Sequence, residues 1–165
     1  MQPDNQWVLT LASERGLTLL ELSYRMRGAL DRIAATVRQA GRDADVGVLR
    51  DCGRLATRVE AVCALADDYL EKRINDTEQP GDASLVKLAY SRCLRAYADL
   101  GVRLGGMDAQ YRRPITFGDL NSGNWLADFQ NSYAWTIAGG SDEVQRNIIA
   151  ERMLGMQREP KGWTL

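Results

Sequence analysis

Apolar side chains recur at three- and four-residue steps over the first forty residues: Leu19, Leu22, Met26, Leu30, Ile33 and Val37. That spacing lines one face of a helix, and it predicts a first helix from Trp7 to about Gln39, broken by Gly41-Arg42-Asp43. Val48, Cys52, Leu55, Val59, Val62, Ala66 and Tyr69 alternate four- and three-residue steps and predict a second. Asn75 to Gly81, with Pro80, reads as a polar turn. Leu85, Leu88, Ala89, Cys93, Ala96, Leu100 and Leu104 mark a third helix, ended by Gly105-Gly106. Residues 106–123 hold Pro114, Gly118 and Gly123 and read as a loop. Trp125, Leu126, Phe129 and Tyr133 predict a shorter fourth helix, and Asp142 to Leu154 the last. No strand alternation, internal repeat or low-complexity tract competes. Long antiparallel helices joined by short turns make an all-α, up-down four-helix bundle, here with a short extra C-terminal helix. It spans 1–158 and leaves 159–165 as a tail. The apolar stripes read as core, and so do Tyr24, Trp125 and Trp135, with pocket lining as their alternative, because aromatics at helical spacing usually pack.

A length of 165 residues suits one domain with a sizeable core. Basic and acidic residues number 21 and 22, a balance that gives no electrostatic case for nucleic acid or an anionic membrane surface. No signal peptide and no apolar run of spanning length is present, so the expectation is a soluble, cytoplasmic protein. There is no histidine. A chain acting alone therefore has no Ser-His-Asp or Cys-His catalysis and no histidine-containing metal site, and no metal is expected. Cys52 and Cys63 are eleven residues apart on one predicted helix, roughly 16 Å of rise, too far for a disulfide. With Cys93 they read as small core hydrophobes in a reducing compartment.

Candidate chemistry concentrates in the run from Thr136 to Gly155. Gly139 and Gly140 free the backbone, Ser141 offers a hydroxyl at an N-cap, and Asp142 and Glu143 fall in the first turn, where the helix dipole favours acids. Val144, Ile148 and Ile149 form an apolar stripe, and Gly155 stands where a helix C-cap belongs. An ordinary capped helix accounts for these letters. Amides at such a start can also receive a phosphate or a carbonyl oxygen.

As a string, Thr136 to Gly155 closely resembles the C-terminal signature of the acyl-CoA dehydrogenase family. Glu14-Arg15-Gly16, after Trp7-Val8-Leu9-Thr10-Leu11, is similar to the start of the first long helix of that family's C-terminal domain. Ala83-Ser84-Leu85-Val86-Lys87-Leu88 is similar to the opening of its third helix. The likeness covers nearly all of 1–158. It implies a flavoprotein that uses FAD to oxidise an acyl-CoA to its α,β-enoyl form. Of the family's three domains, an N-terminal helical one, a middle β-domain and this bundle, it covers the third. The resemblance thus implies a fragment, one subunit of a split enzyme, or a bundle kept for oligomerisation. It implies homo-oligomers or a partner chain carrying the other domains, and weak FAD binding by this chain alone.

The reaction needs a base for the α-proton, a hydride acceptor and a polarised thioester carbonyl. Many family members carry the base as a Glu just before the Gly-Thr or Gly-Ser that starts the last helix. Here that position is Gly139, which takes no proton. Other members carry it on the first long helix, which matches Glu14. Glu14 is therefore the candidate base, against a reading as a solvated first-turn acid. By the same match Arg15 lies near the acyl-CoA, where a guanidinium could bond substrate or orient the base. Gly139, Gly140, Ser141 and Glu143 match positions that contact the flavin nucleotide. Two departures weaken the cofactor match: the family's Arg-x-x-Phe-Gly segment is Gln39-Ala40-Gly41-Arg42-Asp43, and its Gly-Gly-Asn-Gly turn is Leu104-Gly105-Gly106-Met107-Asp108. The acyl chain is not legible.

Overall fold

The computed structural model describes residues 6–110, 116–117, 120–121 and 124–158, with the backbone alone for 6–17 and for the four strand residues. The expected bundle is present. Helices α1 (Gln6–Gln39), α2 (Val46–Ile74), α3 (Asp82–Gly105) and α4 (Trp125–Ile137) are followed by the shorter α5 (Asp142–Arg152). The tail expected at 159–165 lies outside the described residues. No helix among the described residues is long and apolar enough to cross a membrane.

Local chemistry sets the boundaries. α2 starts where the Asp45 carboxylate accepts from the Gly47 and Val48 amides at 2.9 and 3.1 Å. This satisfies donors that the first helical turn leaves open. Arg42 pairs with the same carboxylate at 2.7 Å and, with those amides, holds Asp45 below the usual carboxylate range. α3 begins at Gly81 without a side-chain cap. Instead Asp82 folds back to accept from the Gln79 amide at 2.6 Å and from Lys72 Nζ at 3.1 Å. Asn124 caps α4 by accepting from the Ala127 amide.

α1, α2 and α3 pack against one another, and α4 and α5 lie on α3, which is thereby the central helix. The predicted stripe of α2 is buried apart from the half-buried Cys52. On α1, Leu19, Met26, Ile33 and Val37 are buried while Leu22 and Leu30 flank the core. Each fully buried aliphatic contributes roughly 1.5–3 kcal/mol of transfer free energy. All three cysteines are free; Cys63 and Cys93 are buried and Cys52 is half-buried.

The expected face of α3 is only half of what is covered. Cys93, Leu100 and Leu104 are buried, but Leu85, Leu88, Ala89 and Ala96 are not fully so. Val86, Tyr90 and Tyr97 complete the apolar side, and Ser84, Lys87, Ser91, Ala98 and Gly101 are buried as well. A one-face pattern describes a helix at the surface, whereas α3 is covered on two sides. The region read as a loop opens with a 3-10 turn, Gly106–Gln110. It also holds a two-residue antiparallel ladder, Thr116–Phe117 with Leu120–Asn121, contrary to the expectation of no strand. Two residues per strand are too few to show an alternation in sequence.

Trp125, 1% exposed, is core rather than pocket lining. It lies over Gly101, where any Cβ would overlap its ring, and packs tilted against Tyr97 at 5.3 Å between centroids. Trp135 meets Tyr90 edge-on at 5.6 Å, and Tyr24 donates its hydroxyl to Asp67 across α1 and α2 at 2.6 Å.

Candidate functional site

The turn between α4 and α5 has the backbone that its letters require. Gly139 and Gly140 have φ of 71° and 96°, left-handed values that residues with a Cβ rarely adopt. Gln145 Nε2 donates to the carbonyls of both, at 3.1 and 3.2 Å. A Cβ on Gly140 would stand 2.6 Å from that nitrogen. No carbonyl or side chain among the described residues accepts from the amides of Gly139, Gly140 and Ser141.

Ser141 is the N-cap, its hydroxyl accepting from the Val144 amide at 3.4 Å. Glu143 is exposed; its own amide, then the Ser141 hydroxyl and Arg146, hold its carboxyl below the usual range. Asp142 is the first-turn acid expected, and it is buried. Its Oδ1 accepts from Lys87 Nζ at 3.0 Å and from Ser91 Oγ at 2.9 Å. The expected apolar stripe of α5 is not its buried face: Val144 is 47% exposed, and the covered side chains are Asp142 and Gln145.

Gly139, Gly140, Ser141 and Glu143 are therefore together at one turn. Glu14 and Arg15 fall on α1 within 6–17, whose side chains lie outside the described residues. Among the described residues no group of three or more His, Cys, Asp or Glu could hold a metal ion. Lys87, Ser91, Asp142 and Gln145 escaped the reading of the sequence. Lys87 stands in an apolar run with nothing to mark it as covered, and only the Gly-Gly before α5 hinted that a side chain approaches the backbone there.

Residues 6–154 match the family model "Acyl-CoA dehydrogenase, C-terminal domain". The chain belongs to that family. It is 32% identical over 164 residues to acyl-CoA dehydrogenase IpdE1 of Mycolicibacterium smegmatis, covering 98% of this chain and 39% of that protein. The solved Tcur3481-Tcur3483 steroid ACAD is similar at 26% identity and a TM-score of 0.77, over 90% of this chain and 38% of that one. The ChsE4-ChsE5 complex from Mycobacterium tuberculosis, at 23% identity and a TM-score of 0.69 over 83% and 37%, shares the fold. The chain spans about two-fifths of the length of the relatives it matches.

Proposed function

We propose that this chain supplies the C-terminal bundle of a flavin-dependent acyl-CoA dehydrogenase that acts together with N-terminal and middle domains, on the same polypeptide or on a partner chain. One observation carries the reading. The Gly139-Gly140-Ser141 turn holds three amides with no acceptor among the described residues, in a chain that matches the family over 6–154. The turn fits a flavin nucleotide, because it offers donors without side-chain bulk and its carbonyls are already occupied. FAD held there would supply the hydride acceptor. Gly140, Ser141 and the Gly139 amide would hold the nucleotide, and Glu143, its carboxyl held below the usual range, would accept from a hydroxyl of it rather than meet a phosphate.

Glu14 removes the α-proton of the acyl thioester, since Gly139 has no side chain to do so. Arg15 orients Glu14 or bonds the acyl-CoA. Two features support assembly with a further subunit: the similar steroid ACAD is named for two proteins, and an apolar groove between α1 and α2, lined by Leu30, Ile33, Val37, Leu49, Cys52 and Ala56, suits burial in an assembly or a homo-oligomer. A steroid-derived acyl-CoA is the substrate class to try first, by the same likeness.

The test is anaerobic bleaching of the flavin by acyl-CoA, after assembly with a chain carrying the N-terminal and middle domains. The assembled protein holds one flavin per site, and Glu14→Gln keeps it while bleaching about 10²–10⁴-fold more slowly. Bleaching at the wild-type rate removes Glu14 as the base. An assembly without flavin overturns the whole reading.

A further inference from the structure

α5 is attached in an unusual way. It packs on α3, and the side chains it buries there are polar, Asp142 and Gln145, with Ile148 and Ile149 only half-covered. At its far end the Met153 side chain lies against Gly81, where any Cβ would collide with it. At its near end Lys87 and Ser91, one turn apart on α3, converge on a single carboxylate oxygen of Asp142. Lys87 is 3% exposed and Asp142 8%. The placement of α5 relative to α3 is thus set by one buried ion pair and its hydroxyl at one end, and by one methionine at the other.

Gln145 carries that placement into the turn. A trans peptide is planar, so its N–H points opposite to the carbonyl before it. Holding the Gly139 carbonyl therefore aims the Gly140 amide away from Gln145, and holding the Gly140 carbonyl does the same for the Ser141 amide. We propose that Lys87, Ser91 and Gln145 are positioning residues. The Lys87–Asp142–Ser91 cluster fixes where α5 begins, and Gln145 turns the Gly140 and Ser141 amides outward as a ready-set donor pair for the flavin nucleotide. The last clause rests on the flavin reading above; the positioning itself does not.

The cluster does more than add stability, and the test separates the two. Removing one partner of a buried pair is strongly unfavourable, whereas replacing both by apolar groups is often neutral. Lys87→Met in the full chain is expected to raise amide exchange at Val144 and Gln145, the amides bonded to Ser141, by about 10²-fold or more, with the amides of 59–63 in α2 unchanged. Lys87→Met/Asp142→Leu is expected to recover the melting temperature, yet to leave the NMR resonances of Gly140 and Ser141 displaced. Gln145→Met keeps volume and removes both carbonyl bonds. It is expected to displace the same two resonances without moving the melt, and to weaken flavin retention roughly tenfold in the assembled protein. If the double variant restores the resonances together with the melt, the cluster is merely stabilising and the proposal falls. It also falls if Gln145→Met leaves both amides in place. An assembly that binds no flavin while the amides move as stated would sink the flavin reading and leave the positioning intact.

Discussion

The same substitution, glycine to alanine, should act with opposite signs at two helical positions of this chain. At Gly53, inside α2, an added Cβ meets nothing within 4 Å. The change there removes only backbone freedom, so it should stabilise by about 1 kcal/mol, the propensity difference between the two residues. Gly101, inside α3, enjoys the same propensity gain but faces Trp125. A Cβ there would lie against three ring carbons, Cε3, Cζ3 and Cδ2, all closer than side-chain carbons normally approach. The ring cannot retreat cheaply. It is 1% exposed, and the next turn of α3 brings Gly105 beneath it, where a Cβ would stand 3.2 Å from Cδ1 and 2.9 Å from Ala109 Cβ.

Overpacking of this kind costs about 1–3 kcal/mol, and expelling the ring forfeits part of the roughly 3–5 kcal/mol that truncating a buried Trp costs. Set against the propensity gain, Gly101→Ala should destabilise by about 1–3 kcal/mol. A domain of this size shifts its Tm by roughly 2–4 °C per kcal/mol. Thermal melts followed by helical circular dichroism should therefore show Gly53→Ala rising a few degrees and Gly101→Ala falling by roughly 2–12 °C. Gly101→Ala should also be milder in a Trp125→Leu background, since the two side chains share one space. A Gly101→Ala variant that melts with Gly53→Ala would refute the close packing of Trp125 on α3.

Two further outcomes follow from burial. Burial pushes the Cys93 thiol up to about 11, and the Cys63 and Cys52 thiols are also raised; only Cys52 is half-exposed, so a thiol reagent should label one cysteine in the native chain and three in denaturant. Burial raises Asp128 above the ordinary aspartate value, opposed by Arg32 and by the Tyr97 hydroxyl. The folded state then binds the proton more tightly than the unfolded one, so stability falls as pH rises from the ordinary aspartate range through the raised value. Asp128→Asn should be more stable at neutral pH and flatter across that window in denaturant titrations; an unchanged pH slope would count against the desolvation of this carboxyl.

The apolar stripes made α1 and α2 legible nearly residue by residue, because each presents one face to one core. α3 was legible as a helix but not as the centre of the fold. Its second face, Ser84, Lys87, Ser91, Ala98 and Gly101, is polar or small and looks like a solvated side until α4 and α5 are known to cover it. Gly101 and Gly105, four apart within α3, were the available signal for close approach, and only the second was read, as a helix stop. At the turn, the glycines, the Ser141 cap and the place of Glu143 in the first helical turn followed from letters alone. The burial of Asp142 did not, because an acid in a first helical turn looks the same whether it meets water or a lysine. Glu14 and Arg15 rest on resemblance and not on any spacing rule.

These differences divide the molecule by the kind of contact that holds it. The apolar contacts of α1, α2 and α3 carry the transfer free energy of the core, with Val59, Cys63, Ala66 and Ala98 wholly covered. The turn proposed for the flavin hangs on α5, which is fastened by an ion pair, a hydroxyl and a methionine. A segment with few buried apolar contacts opens at lower free energy than the core it leans on. Ile137 and Val144, which flank the turn at 71% and 47% exposure, leave apolar surface there for another polypeptide to cover. Covering them would add apolar burial where the bundle itself has least. The donor turn would then be most firmly held in the assembly that brings the flavin to it, which joins the stability of α5 to the function proposed for the turn.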